Sequence, residues 1–107
     1  VHGNPKVYVF AELGDDRLLS RFFFPKGPGQ PILEDPATGS ACANLGGYYL
    51  ATGVARPLSR VISQGEYTGR PSTLYLTVDA VGEVFVAGDV LELGRGSIEL
   101  PTASARV

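Results

Sequence analysis

The sequence has few of the residues that form cross-links and metal centres: its 107 residues include one cysteine, one histidine and no methionine or tryptophan. A single cysteine excludes a disulfide within the chain and a cysteine-rich metal site, so we predict no bound metal. It also fits a reducing compartment, and we therefore expect a cytoplasmic location. The histidine, His2, lies beside the first residue, where a solvated side chain is expected.

Basic residues are also scarce, and they are scattered along the chain. Nine Lys and Arg stand against eleven Asp and Glu, which gives a net charge of −2 and no basic stripe, so a nucleic-acid partner is not expected. No hydrophobic run in this sequence is long enough to cross a membrane, and we expect no signal peptide. The length fits one domain, residues 1–107. Because the first residue is Val rather than Met, we expect a piece of a longer protein.

Short segments rich in β-branched and aromatic residues, bounded by Gly, Pro or Asp, predict about seven strands. Those segments are Val7–Phe10, Leu18–Phe24, Arg60–Gln64, Ser72–Ala80, Val84–Ala87, Val90–Leu93 and Ser97–Leu100. Leu74, Leu76 and Val78 alternate with Tyr75 and Thr77, the period of a strand with one buried face. Gly88-Asp89 and the segment 94–96 are predicted as hairpin turns.

Residues 39–53 form one run without a charged side chain, and they end at Gly53, a typical helix stop. A helix that is small or apolar on every face is expected to be buried all round. Its small residues predict that strands approach its backbone closely. We therefore predict an α+β fold, in which a curved mixed β-sheet, or barrel-like roll, wraps around one central buried α-helix.

The start of this helix is the most informative part of the chain. The first N–H groups of a helix lack partners within it, and the macrodipole favours an anion there. Asp35 followed by Pro36 can cap a helix by itself. If instead Thr38 is the cap, Asp35 is free to face a ligand. Gly39 favours Thr38, because glycine inside a first turn costs about 1 kcal/mol relative to alanine.

Three segments resemble, in order and spacing, the second half of the PhzF-like isomerases of phenazine biosynthesis. They are the segments 21–25 (RFFFP), 34–41 (EDPATGSA) and 64–72, which contains Gln64-Gly65 and GRPS. The family shares the fold of diaminopimelate epimerase, with two similar domains and an active site in the cleft between them. The resemblance covers roughly residues 6–100.

The resemblance implies proton transfer between carbon atoms of a small carboxylate substrate, of the dihydro-hydroxyanthranilate type, without a cofactor. By motif, Asp35 and Ser40 correspond to catalytic residues: Asp35 assists proton movement and Ser40 is the active-site serine. Thr38, Gly39 and Ser40 would bind substrate, with the amides of the last two holding its carboxylate. Fixed dipoles facing a developing charge suit this chemistry.

The family's main catalytic glutamate and an active-site histidine belong to the first domain, which has no counterpart here. Glu34 belongs to the Asp-Pro motif and is not that glutamate. We therefore expect the isolated chain to be inactive and to need the missing N-terminal domain or a second chain. Cys42, one turn into the helix, is expected to be a small buried residue rather than an acid or base.

Three functions stay open at this point. The chain is the C-terminal domain of a PhzF-like isomerase, or a half-length protein that binds a small carboxylate or forms a homodimer without catalysis, or a structural domain in which the motif only begins a helix. A helix start exposed by loss of its partner domain predicts self-association, and we expect a homo-oligomer. Gln64-Gly65 and residues 69–72 are taken as mainly structural residues that flank a turn.

Overall fold

The computed structural model of the protein describes residues 5–102. One helix and six strands follow one another along the chain, with one short 3₁₀ helix, Glu66–Thr68, between β4 and β5. The elements are β1 (Val7–Gly14), β2 (Arg17–Pro25), β3 (Ile32–Asp35), α1 (Gly39–Ala51), β4 (Leu58–Gln64), β5 (Ser72–Val78) and β6 (Val84–Gly88). The predicted α+β class is confirmed. Within the described residues, α1 is too short and not apolar enough to cross a membrane.

The strands form one mixed sheet in the order β1-β2-β4-β5-β6, with β3 paired to the second half of β2. β2 and β4 run parallel over residues 17–20 and 61–64, and every other pair is antiparallel. The β1–β2 hairpin turns through Asp15 and Asp16, both with positive φ (52° and 59°), a conformation that Asp tolerates better than most residues. The parallel pair places the β3–α1 connection inside a crossover between β2 and β4.

The core lies between one face of the sheet and one face of α1. Leu74, Leu76 and Val78 on β5 are buried while Tyr75 between them is exposed, so the predicted alternation is confirmed. Leu18 and Ile62 from the parallel pair are fully buried beside them. The strands therefore present one apolar face to the helix.

The predicted close approach of strands to the helix backbone is confirmed at Gly46. A Cβ atom at this position would lie 2.7 Å from Cγ1 of Val84 on β6 and 3.2 Å from Cδ1 of Leu76 on β5. On the other side, the Phe10 ring of β1 meets those of Tyr48 and Tyr49 at centroid distances of 6.0 and 6.4 Å. Both edge strands, β1 and β6, thus contact α1.

The prediction of a helix buried all round is wrong. The positions exposed along one side of α1, which we call the open face, are Ser40, Asn44, Gly47, Tyr48 and Ala51. The sheet is not closed: its edges, β1 and β6, do not pair with each other in the described chain. A run without charge predicted burial, but these positions stay exposed, although the Phe10 ring of β1 meets that of Tyr48. The barrel-like part of the prediction is not observed.

The predicted strands Val90–Leu93 and Ser97–Leu100 are not strands in the structure, and Gly88-Asp89 and residues 94–96 do not form hairpin turns. The segment 89–102 follows β6 in the chain and has no regular secondary structure. Its large apolar side chains are exposed: Val90, Leu91, Leu93, Ile98 and Leu100. β-branched residues supply propensity, but a strand also needs a neighbour with which to pair. Conversely, the sequence pattern did not predict β3, because this strand is formed by its pairing with β2.

Candidate functional site

Helix α1 begins at Gly39, and Thr38 is its N-cap residue, with an extended backbone at φ −119° and ψ 94°. The prediction that Thr38 rather than Asp35 precedes the first turn is confirmed. The Thr38 side chain makes no capping hydrogen bond to the helix. Instead its hydroxyl donates to Oδ2 of Asp35 at 2.7 Å. The N-cap residue therefore holds the carboxylate that ends β3.

The first turn of α1 keeps free hydrogen-bond donors. The N–H of Cys42 donates to the Thr38 carbonyl at 3.1 Å, the first bond of the helical ladder. The N–H groups of Gly39, Ser40 and Ala41 precede this bond, and their positions in the helix leave them without an intrahelical partner. The first turn contains no acidic residue, and a Cβ at Gly39 would meet nothing within 4 Å. The helix start is therefore open to an anion.

Two cavities flank the helix start. Ser40 lines one of about 480 Å³ together with the side chains of Lys6, Tyr8, Phe22 and Asn44. Burial raises the pKa of the Tyr8 hydroxyl, and this buried oxygen has no hydrogen-bond partner among the described residues. This cavity combines an ammonium, an amide and hydroxyls with aromatic walls.

The second cavity, of about 560 Å³, lies beside Gly39 and is lined by Ala37, Pro71, Ser72 and Asp89 among others. It contains a carboxylate and no basic side chain. Of the three predicted binding residues, Ser40 lines the first cavity and Gly39 the second, whereas Thr38 and the predicted catalytic Asp35 line neither of these two. The charge of Lys6 makes the Ser40 cavity the better of the two for an anionic ligand.

A buried glutamine connects the helix start to the sheet. Gln64, the last residue of β4, is 0 % exposed. Its Nε2 donates to the backbone carbonyl of Asp35 and to the hydroxyl of Thr38, both at 2.9 Å. Its Oε1 accepts from the Ser20 hydroxyl at 3.2 Å and from the Thr38 N–H at 3.4 Å. Both donor and both acceptor positions of the amide are therefore filled.

Gly65 brings two backbone segments together next to this glutamine. Its φ is +90°, and an added Cβ would lie 2.4 Å from the Arg70 carbonyl oxygen and 2.7 Å from the Pro36 carbonyl oxygen. Only glycine combines this conformation with such close backbone contacts. The Gln64-Gly65 pair is structural, as expected, and what it supports is the loop that carries Asp35.

Glu34 is held in an ion pair on the sheet. Its two carboxylate oxygens accept from Nε and Nη2 of Arg21 at 3.0 and 2.8 Å. This hydrogen-bonded pair lowers the pKa of Glu34 and raises the pKa of Arg21. The guanidinium also lies over the rings of Phe23 and Tyr67, at 4.9 and 4.2 Å from their centroids. A carboxylate engaged in this way anchors β3 to β2.

Cys42 is fully buried in the core, as the sequence predicted. Burial raises the pKa of its thiol to about 11, so it is neutral near neutral pH. No group of three or more His, Cys, Asp or Glu side chains suited to a metal ion occurs among residues 5–102. The predicted solvated state of His2 lies outside the described residues.

Sequence reasoning gave Gln64 only a structural role beside a turn, and it gave no role to Ser20 or to Lys6, Tyr8 and Asn44 around the Ser40 cavity. A signal for Gln64 was available, because it follows Ile62 by two residues on the same face of a strand. A polar residue at a buried strand position is more informative than an apolar one.

The fold and this helix start define an α+β domain in which a carboxylate and open amides lie at one end of the helix. The sequence model of the phenazine biosynthesis-like proteins matches residues 3–92. The chain belongs to this family.

A protein of Pasteurella multocida (strain Pm70), named as an uncharacterized isomerase, is 43% identical over 82 residues. The aligned segment covers 77% of this chain and 27% of the relative, so the chain spans about a quarter of that protein's length. No solved structure matches the chain.

Proposed function

We propose that this chain is one half of a cofactor-independent isomerase that transfers a proton between carbon atoms of a small carboxylate substrate. The observation that carries the proposal is the Asp35 carboxylate, held by the N-cap residue beside a helix start with free amides. Isomerisation needs a group that moves a proton and fixed dipoles that stabilise the developing negative charge. This end of α1 offers both.

In this proposal Asp35 assists proton transfer and the amides of Gly39 and Ser40 bind the substrate carboxylate. Ser40 faces the cavity that contains Lys6 and Asn44, and a cation there favours a carboxylate. The aromatic walls suit a flat ring, which supports a substrate of the dihydro-hydroxyanthranilate type. The Thr38 hydroxyl both accepts and donates a hydrogen bond, so its contribution to binding passes through Asp35.

We infer that a second domain or chain completes the site. Among residues 5–102, Glu34 is engaged by Arg21 and Cys42 is neutral and buried, so neither is a second proton carrier beside Asp35. The Pasteurella multocida relative, which is named as an uncharacterized isomerase, is far longer than this chain. In line with the diaminopimelate epimerase-like architecture, the partner would lie against the open helix start and supply a glutamate and a histidine.

A comparison of two variants tests the proposal in the assembly of this chain with the first domain of a two-domain family member. Asp35→Asn keeps the shape of the side chain but removes its charge, and we expect the rate to fall by on the order of 10²-fold or more. Cys42→Ala should leave the rate nearly intact and cost about 1 kcal/mol in packing. Deuterium incorporation from solvent, followed by NMR, measures the rate. A fully active Asp35→Asn assembly would disprove the role of Asp35.

A second candidate is a half-length module that binds a small carboxylate or forms a homodimer without catalysis. The uncharged open face of α1 and the exposed apolar residues of the segment 89–102 favour it. Deuterium incorporation distinguishes the candidates: the module catalyses none, even when the first domain is added, whereas the isomerase half becomes active.

A further inference from the structure

We propose that Gln64 is a positioning residue that fixes the Asp35 carboxylate through Thr38, and this proposal rests on the isomerase function proposed above. Gln64 touches no free group of the helix start. It contacts the backbone of Asp35 and the side chain that is bonded to the Asp35 carboxylate. Its effect on the reaction is therefore indirect.

The Thr38 hydroxyl has a single proton to donate. Nε2 of Gln64 donates to Thr38 Oγ1 at 2.9 Å, so this oxygen acts as an acceptor on that side. The hydroxyl proton is then directed to the opposite side, where Oδ2 of Asp35 accepts it at 2.7 Å. The direction of the hydrogen bond in this relay is set by Gln64, which has only donors at Nε2.

Gln64 also holds the backbone that carries the Asp35 carboxylate. Nε2 of Gln64 also donates to the Asp35 carbonyl oxygen at 2.9 Å, and its Oε1 accepts from the Thr38 N–H at 3.4 Å. One side chain thus fixes both ends of the segment 35–38. The Ser20 hydroxyl on β2 in turn holds Oε1 at 3.2 Å. Because Gln64 is fully buried, water does not compete for these bonds.

The consequence is a carboxylate with a defined rotamer before substrate binds. An acid or base that is already oriented raises the rate of proton transfer without a matching change in substrate affinity. We therefore expect changes at Gln64 to lower kcat and to leave KM nearly unchanged, because the amides of Gly39 and Ser40 bind the substrate.

The first test needs no turnover. Three-bond NMR couplings of the Asp35 β-protons in this chain report its side-chain rotamer. We expect one rotamer in the unchanged chain and averaged rotamers in Gln64→Met, which keeps an unbranched side chain of similar length but offers no amide. The control is Val78→Ala, a buried truncation at the opposite end of the β4–β5 pair, which should lower the unfolding temperature and keep the single rotamer. A single Asp35 rotamer in folded Gln64→Met would overturn the proposal.

The second test is a double-mutant cycle on kcat in the two-domain assembly. We expect Gln64→Met and Thr38→Val each to lower kcat on the order of 10-fold, and the double variant to lower it no further. Thr38→Ser, which keeps the hydroxyl, should restore most of the rate. If the double variant loses the product of the two single effects, Gln64 does not act through Thr38 and the proposal fails.

If Gln64→Met does not fold, as judged by circular dichroism, Ser20→Ala replaces it. This variant removes one bond to Oε1 and leaves the amide in place, so partial averaging of the Asp35 rotamer is expected, and its absence counts against the proposal. The two proposals fail separately. Averaged rotamers together with full activity of Asp35→Asn would reject the isomerase role of Asp35 and leave the positioning by Gln64 intact.

Discussion

The two sides of helix α1 meet different surroundings. On the packed side Cys42, Leu45, Gly46 and Tyr49 are buried against the sheet, and Gly46 is in contact range of Val84. On the open face a Cβ at Gly47, the next residue, would meet nothing within 4 Å. Both sides lack charge, although the positions of the open face stay exposed in the described chain. Packing explains the composition of the first side, and a surface that receives a partner would explain that of the second.

The largest difference between the two sides is expected from truncation of neighbouring residues. Leu45 is 3 % exposed in the core, so Leu45→Ala should lower the free energy of unfolding by about 2–5 kcal/mol. Asn44→Ala on the open face should change it by no more than about 0.5 kcal/mol. Urea unfolding followed by circular dichroism measures both. Equal losses would mean that the two sides are packed alike.

The loss of stability at alkaline pH tests whether Cys42, on the packed side, is buried. Its folded pKa of about 11 lies above the ordinary value of 9.0. The neutral thiol is therefore favoured in the folded state, and this contribution is complete below pH 9 and is lost as the pH rises towards 11. Between these limits the unchanged chain should lose on the order of 2 kcal/mol more stability than Cys42→Ala. Parallel alkaline unfolding curves for the two proteins would contradict a buried thiol.

Alanine substitutions at the adjacent residues Gly46 and Gly47 form a matched pair, with smaller expected effects on stability. Ala in place of Gly raises helix propensity by about 1 kcal/mol, and at Gly47 nothing opposes this gain, so Gly47→Ala should stabilise by about 0.5–1 kcal/mol. At Gly46 the new methyl group would overlap Val84 and Leu76, and overpacking should turn the gain into a net loss of roughly 1 kcal/mol. Thermal unfolding compares the two variants. If Gly46→Ala is stabilising, β6 must shift away from the helix to make room for the methyl group.

A small effect on stability and the clearest effect on association are expected for Tyr48→Lys. Tyr48 is 52 % exposed on the open face, and its ring meets that of Phe10, so the substitution should lower stability by no more than about 1 kcal/mol. If the open face mediates self-association, a lysine there should reduce it. Sedimentation at several concentrations measures this, with Glu83→Lys at an exposed turn position as the control. A monomeric unchanged chain at high concentration would argue against association through this face.

The sequence was informative wherever local chemistry decides the structure. Alternation gave the buried face of β5, and the Thr38-Gly39 pair gave the helix start. Sequence reasoning failed where a neighbouring strand or helix determines the structure of a segment. β3 exists because residues 32–35 pair with β2, and the segment 90–100 lacks such a neighbour despite its strand-like composition. An uncharged helix was read as buried, because composition does not report which element covers a surface.

For the candidate site, the residue types near the helix start were predictable and their mutual contacts were not. The Thr38–Asp35 hydrogen bond joins residues three apart, yet its direction depends on Gln64, which is 26 residues from Thr38. A sequence pattern reports spacing along one segment only. The long-range contact emerges from the parallel pairing of β2 with β4.

That parallel pairing also sets an order of events during folding. Ser20 and Gln64 are 44 residues apart, so the loop between them must close before the helix start acquires its support, and closure of long loops is entropically costly. The β1–β2 hairpin and α1 rely on local contacts and need not wait. We therefore expect protection of the Thr38 amide against hydrogen exchange to appear late in refolding, which makes it a reporter of the completed domain.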